Sequence, residues 1–394
     1  MFYNFIGAEL GTLEMTFNPP FRIGPTYSTN LPGTPPAGGY RPDLTFANPF
    51  PAAGGGAPAS NPLVYETPRD YRNPRQQQWT LTLEQQFGQD WVARASYVGS
   101  QVQHLFWYAF NINQPAIQQP NVILQNQRPY QPWANINYNA SGGLQNFGQM
   151  QLELIKRFSR GLSLQVEYNW TRSLDDVPVA GGLNNPYCYM CDYGNSDSVP
   201  RQRLAFTYLY ELPFGANRRW LNQRGVSNAV LGGWEVAGIT TYVSGAPFSM
   251  SFNVPSNVVG WWGGRPDAVS GVGLYDGQNG GSHDVVSGVQ WFNPAAFAPP
   301  QKWAYGNAPR NNVFGPGSEN WDISLMKIFY FRGEEGLRLQ LRTDWFDALN
   351  HFNLGSPGST IGDTRDGGIP VVTAGKIFGG SGSRVIQLAA RLIF

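Results

Sequence analysis

Few residues in this chain of 394 are of a type that does covalent or metal chemistry, and their spacing narrows the possibilities further. The two cysteines stand as Cys188-Tyr-Met-Cys191. Such a pair is a redox motif only in a βαβ setting, attaches haem only with His next, where Asp192 stands, and holds zinc only with further ligands. The three histidines, His104, His283 and His351, lie on separate segments and complete neither a zinc set nor a Ser–His–Asp arrangement. Asp192 to Asp197 (DYGNSD) spaces its oxygens as a Ca²⁺ loop would, but lacks the EF-hand pattern and its terminal Glu, so it reads as a polar turn. Gly-x-Ser-x-Gly, His-Glu-x-x-His and Gly-x-x-x-x-Gly-Lys-Ser/Thr do not occur, and the glycine clusters at 54–56 and 379–382 precede no helix that could aim its N-terminus at phosphate. No cofactor, metal or enzymatic activity is expected.

The remaining candidates are charged side chains that recur on one face of alternating segments: Glu84, Arg94, Glu153, Arg157, Glu167, Arg203, Glu211, Arg338, Arg342, Asp344 and Arg391. The cleanest segment is Leu162 to Thr171, where Leu162, Leu164, Val166, Tyr168 and Trp170 share one face and Ser163, Gln165, Glu167, Asn169 and Thr171 the other. Period-2 alternation of this kind predicts strands. The same test predicts strands at Gln78–Phe87, 91–104, 150–158, 204–214, 234–252, 321–331, 337–342 and 386–394, with a poorer one at 2–17. Each charged residue then serves either a polar wall that conducts a substrate or cross-strand ion pairs that stay solvated.

Composition limits what such a sheet can do. Charged residues are 13% and the net charge is +1, which excludes a disordered polyelectrolyte and gives no field for nucleic acid. No apolar run approaches the ~18 residues of a transmembrane helix. The opening segment has Glu9 and Glu14 before the first Arg, Arg22, so no signal peptide is expected.

The connections are of two kinds. Gly88 to Asp90, Ser159 to Gly161 and Arg332 to Gly336 are tight turns with Gly, and 215–233 is a longer joint at an equivalent place. Between them lie long Gly/Pro/Asn-rich stretches, 18–76, 106–145, 174–200, 253–319 and 354–382, that read as structureless. Short and long connections alternate, so all short ones fall at one end of the sheet. Soluble domains rarely carry several such loops, whereas outer-membrane barrels pair short periplasmic turns with long extracellular loops. Aromatics at the strand ends, among them Trp79, Phe87, Trp91, Phe158, Trp170, Phe214, Trp234, Trp321 and Phe331, read as interfacial girdles. The 2–17 segment makes the strand number even and puts both termini on the periplasmic side. On this topology Cys188 and Cys191 sit in an oxidising exterior, so a local disulfide is expected. Ile386, Leu388, Ala390, Leu392 and Phe394 form an alternating last strand ending in an aromatic, a pattern that suits recognition by the barrel-assembly machinery through strand addition.

Several motifs, in order, resemble the barrel of Oar-like TonB-dependent outer-membrane receptors that also carry a carboxypeptidase-regulatory-like domain. They are Tyr97-Val98-Gly99-Ser100, Ser196-Asp197 to Arg203, Tyr208-Leu209-Tyr210-Glu211-Leu212-Pro213-Phe214-Gly215, Gly232-Gly233-Trp234, Ser244-Gly245-Ala246-Pro247-Phe248, Trp291-Phe292-Asn293-Pro294, Arg342 to Asn350-His351, and the terminal RVIQLAARLIF. Each is weak alone; their order is specific. The resemblance implies an all-β, antiparallel up-and-down transmembrane barrel, with about ten strands here as the C-terminal part of a larger 22-strand barrel whose lumen is plugged. Residues 1–76 would then be a weak first strand and a long loop, and 77–394 nine strands with loops, the plug and signal peptide being absent. It further implies uptake of an unknown small nutrient in the bacterial outer membrane, with lipid and the assembly machinery as partners and TonB reached only through the plug. A passive porin or adhesin barrel and a secreted β-sandwich binding module are the competing readings. The ligand is unnamed: loops rich in Asn, Gln, Trp and Tyr would suit sugars or peptides.

Overall fold

A computed structural model describes residues 63–394 except 117–121, 178–182, 216–217, 223–224, 254–263, 283, 301–304, 332–336 and 364–370, and also Phe2, Tyr3 and Asn18. Ten strands of one large sheet follow one another in chain order: β1 (Phe2–Tyr3), β2 (Arg75–Phe87), β3 (Trp91–Asn111), β4 (Ile136–Ser159), β5 (Leu162–Asp175), β6 (Gln202–Glu211), β7 (Trp234–Val243), β8 (Ser318–Tyr330), β9 (Arg338–Phe346) and β10 (Val385–Ile393). Every neighbouring pair on this path is antiparallel, which is the up-and-down arrangement the alternation predicts. Val64–Glu66 adds a short parallel strand to the upper end of β4. Most of the poorer 2–17 prediction, and the Arg332 to Gly336 turn, lie outside the described residues.

Cross-strand register places like with like. Leu83, Ala95, Leu152, Tyr168, Leu204 and Tyr242 form one continuous row on six strands. Its neighbour on the opposite face is Glu84, Arg94, Glu153 and Glu167. Because side chains alternate strictly, one slip of register would exchange the two rows. The Ser159–Leu162 hairpin pins it: Arg160 and Gly161 both have positive φ (52° and 81°), the type I′ geometry that matches strand twist. On the apolar face two aromatics lie flat over glycines. A Cβ on Gly99 would stand 2.2 Å from the Trp79 indole, and one on Gly238 would stand 2.5 Å from the Tyr208 hydroxyl.

Two of the long connections overturn the sequence expectation of structureless loops, while most of the 18–76 stretch lies outside the described residues. Five two-stranded ladders tie together the stretches 244–317 and 347–384. Three of these ladders stay within one connection, and two join the connections to each other: Ser251–Asn253 lies beside Thr360–Asp363 and Val289–Gln290 beside Lys376–Ile377. Together they enclose a core of Met250, Phe292, Ala296, Phe297, Ala308, Val313 and Ile361. The apolar residues there occur singly or in short pairs among Gly, Pro and Asn, so they show no period, and only tertiary packing collects them.

Two boundaries are corrected as well. The 106–145 stretch is not a loop: β3 runs to Asn111 and β4 starts at Ile136, the upper hairpin packing Trp107 against Ala140 and Leu183. Asn and Gln occupy both faces of this segment above the membrane, which erases the hydrophobic alternation. The predicted strand at 234–252 ends at Val243, after which Pro247–Phe248 and Ser251–Asn253 pair within the cap instead.

Candidate functional site

The polar face of the sheet carries the predicted charged residues. Arg94 joins Glu84 at 2.8 Å and Glu153 at 2.6 Å. Glu153 stands directly opposite Glu167, a like-charge pair, and the Gln165 amide donates to both carboxylates, at 2.9 and 2.8 Å. Five side chains from four strands thus form one connected band. Exposed pairs of this kind contribute about 0–1 kcal/mol each, so the band sets the chemistry of the surface more than its stability. Further along the same face Arg342 donates to Asp344 at 2.7 Å, and Ser324 donates to the same carboxylate. Glu211 pairs with Arg218 at 2.6 Å. Arg203, Arg338 and Arg391 occupy the same face by register, opposite Asn169, Tyr330 and Gln340. Arg157 departs from the pattern, because a bulge between Lys156 and Ser159 breaks the ladder there. This face holds a concavity of about 780 Å³ lined by Gln165, Thr207, Asp322, Ser324, Arg342, Asp344 and Gln387 among others.

The opposite face is bare and apolar. Leu81, Leu83, Leu152, Leu154 and Leu341 are exposed, Leu83 by 65%. Ile386, Leu388, Ala390 and Leu392 share it on β10, which pairs only with β9 among the described residues, and Phe394 follows the strand, almost wholly exposed. Patches this large on a monomer mark contact with an apolar phase. Hydrophobic stripes facing lipid around a polar interior are the pattern of outer-membrane barrels.

Sequence reasoning missed two lysines on the apolar face. Lys156 stands opposite Trp91 and Lys327 opposite Trp234. Trp91 opens a strand after the Gly88–Asp90 turn and Trp234 one after the longer 215–233 joint, and each lysine curls back onto the backbone at that end of the sheet. The Lys156 ammonium donates to the carbonyls of Ser159 and Leu162 at 3.0 and 2.9 Å; that of Lys327 donates to those of Val230 and Gly232 at 2.8 and 2.7 Å. Lys327 also lies 4.7 Å from the Trp234 ring centre, a cation–π contact. The signal was present as a Trp–Lys opposition, but it is invisible until the register is known.

In the cap the acidic turn at Asp192 to Asp197 is occupied by arginines. Asp192 and Arg265, both buried, meet at 2.8 Å, and the Arg265 guanidinium also donates to the Cys191 carbonyl at 2.8 Å. Arg310 bridges Asp175 at 2.5 Å and Asp197 at 3.0 Å. Burial pushes the Asp192 carboxyl above its usual range although Arg265 and Arg310 pull it down, and burial lowers the Arg265 guanidinium likewise. Burial of such a pair costs desolvation that offsets its attraction, so the pair chiefly fixes loop geometry. Cys188 and Cys191 are joined by a disulfide in the short turn that leads into Asp192. Among the described residues no three His, Cys, Asp or Glu side chains converge as a metal set would.

A sheet apolar outside and charged within, with short turns at one end and elaborate loops at the other, defines a bacterial outer-membrane β-barrel protein. The chain belongs to the family described as "Outer membrane beta barrel domain", which it matches over residues 1–387. Solved structures similar to it include the outer-membrane transporter YddB from Escherichia coli, with a TM-score of 0.40 and 11% identity over 85% of this chain and 34% of that one. The FrpB iron transporter from Neisseria meningitidis (F3-3 variant) aligns with a TM-score of 0.37 and 11% identity over 83% of this chain and 32% of that one. The copper transporter OprC aligns with a TM-score of 0.34 and 9% identity over 83% of this chain and 34% of that one. The chain spans about a third of the length of these structures. No curated protein matches it.

Proposed function

We propose that the chain is the C-terminal part of the barrel of an Oar-like TonB-dependent transporter that takes up a small nutrient through the outer membrane. The observation that carries this reading is the band from Glu84 through Arg94, Glu153 and Gln165 to Glu167, a polar wall built across four strands whose reverse faces are apolar. The ordered motifs from Tyr97 to the terminal Phe394 support the Oar-like type. In this reading the wall faces a plug that is contacted by TonB, the ligand crosses along the polar face, and Ile386, Leu388, Ala390, Leu392 and Phe394 present the last strand to the assembly machinery.

Two experiments test it. An antibody raised against residues 183–201 should detect, in native outer membranes, a polypeptide well above 43.6 kDa. A band at that mass would overturn the partial-barrel reading. Replacing Arg94 by Glu, which reverses the centre of the band, should lower energised uptake while leaving surface labelling of the loops unchanged. Equal uptake with and without TonB would favour a passive pore instead.

A further inference from the structure

The cap presents aromatic rings to water from a hydrogen-bonded backbone. Tyr130 is 53% exposed, Trp133 36% and Tyr187 54%. They come from two different connections, 112–135 and 176–201, and two adjacent buried amide residues hold them together. The Asn113 side chain accepts from the Tyr130 backbone N–H at 2.8 Å and donates to the carbonyls of Tyr130 and Trp133, both at 2.9 Å. The Tyr187 hydroxyl donates to the Gln114 carbonyl at 2.5 Å. Tyr187 immediately precedes the Cys188–Cys191 disulfide, so its turn is covalently closed on one side. Exposed rings whose backbone is held by a buried amide centre and a disulfide are partly organised before any ligand arrives, which lowers the ordering cost of binding.

The surrounding chemistry selects a class of ligand. From Ile112 to Asn135 the sequence has six Gln and one charged residue, Arg128. That guanidinium turns inward, donating to the Asn113 carbonyl at 2.5 Å and to Asn135 at 2.8 Å. Among the described residues of this connection the shelf therefore offers flat, weakly polar ring faces bordered by neutral amides, the one guanidinium being turned inward. A pyranose presents the complement: a C–H face that rests against an aromatic ring and hydroxyls that exchange hydrogen bonds with amides. A protein partner would ordinarily bring charged groups around an apolar centre, and among the described residues of 112–135 only the inward-turned Arg128 carries a charge.

We infer that Tyr130, Trp133 and Tyr187 form an extracellular binding shelf for neutral oligosaccharides. The inference names the class of molecule that meets the uptake route proposed above and rests on that reading only for the steps after capture, so binding is measured without transport. The full chain, folded in detergent micelles, is titrated by calorimetry with cello-, xylo-, manno- and malto-hexaose, with an oligogalacturonate and with a casein peptide digest. At least one neutral hexaose should bind, about tenfold more weakly after Trp133→Ala or Tyr187→Ala. Binding should persist in Trp133→Phe, which keeps a ring, and in Phe378→Ala, which removes an exposed ring elsewhere in the cap. Cys188→Ser with Cys191→Ser should weaken binding while the rings remain. No binding by any neutral hexaose, equal binding by the ring variants, or preference for the acidic oligomer or the peptides would overturn the inference.

Discussion

In the sheet, Leu83 and Leu388 lie bare on one face while Glu153 and Arg94 pair on the other; in the cap, Phe292, Met250 and Val313 are sealed inside. The same side-chain types have been sorted against two different solvents. Around the sheet the apolar phase is outside, so burial of Leu and Ile waits on lipid. Around the cap it is water, and the chain must make its own interior from residues scattered over two long connections. The difference teaches that one polypeptide can follow opposite inside–outside rules a few residues apart, with β5 and β8 crossing from one regime to the other.

The sharpest way to break this comparison is to damage one region alone. Arg310→Ala removes the cation from buried Asp175 and its partner Asp197, a loss of about 3–5 kcal/mol for an uncompensated buried charge. Protease should then cut the cap in intact cells, while the sheet keeps its heat-modifiable migration in detergent gels. Loss of both would mean the two regions fold as one unit.

Leu164→Arg or Val166→Arg attacks the lipid side, where a mid-membrane charge costs about 2–4 kcal/mol, and should abolish heat-modifiable migration. Gln165→Arg, one residue away on the polar face, should be tolerated. If all three behave alike, the inside–outside assignment is wrong.

A smaller effect is expected from Gly99→Val, whose branched side chain must displace the Trp79 ring, at about 1–3 kcal/mol. Quenching of tryptophan emission by brominated lipid should change, with the cap unaffected by protease.

The smallest effect concerns Asp176, whose carboxyl burial raises above its ordinary 3.8 although the Leu144 N–H donates to it. Because the folded state binds the proton more tightly than the unfolded one, this group's stabilising contribution is full below about 3.8 and is lost as pH rises through the raised value. Cap proteolysis should therefore quicken slightly over that window, and Asp176→Asn should flatten the dependence.

How much of this is legible in sequence follows the same division. Leu162 to Thr171 needs only its own alternation to reveal a strand and its two faces, because a uniform external solvent imposes a uniform period. Charged residues such as Glu153 and Arg94 could be assigned to the polar face for that reason, though their pairing awaited the register. The cap is different. Nothing local tells Ile361 that it will pack with Met250 and Phe292, and the Asn-rich continuation of β3 and β4 loses its period where it leaves the membrane. Cys188 and Cys191 could be singled out by spacing, but not the neighbouring Arg265, which arrives from a distant connection.

The curled lysines carry a mechanical consequence. Since Lys156 is tied to the backbone of the Ser159–Leu162 hairpin and Lys327 to that of the connection before Trp234, the protein's draught in the bilayer is keyed to its own framework rather than to flexible side-chain reach. A leaflet of another thickness must pucker or thin to meet those two moorings, so the local shape of the membrane is set by the protein.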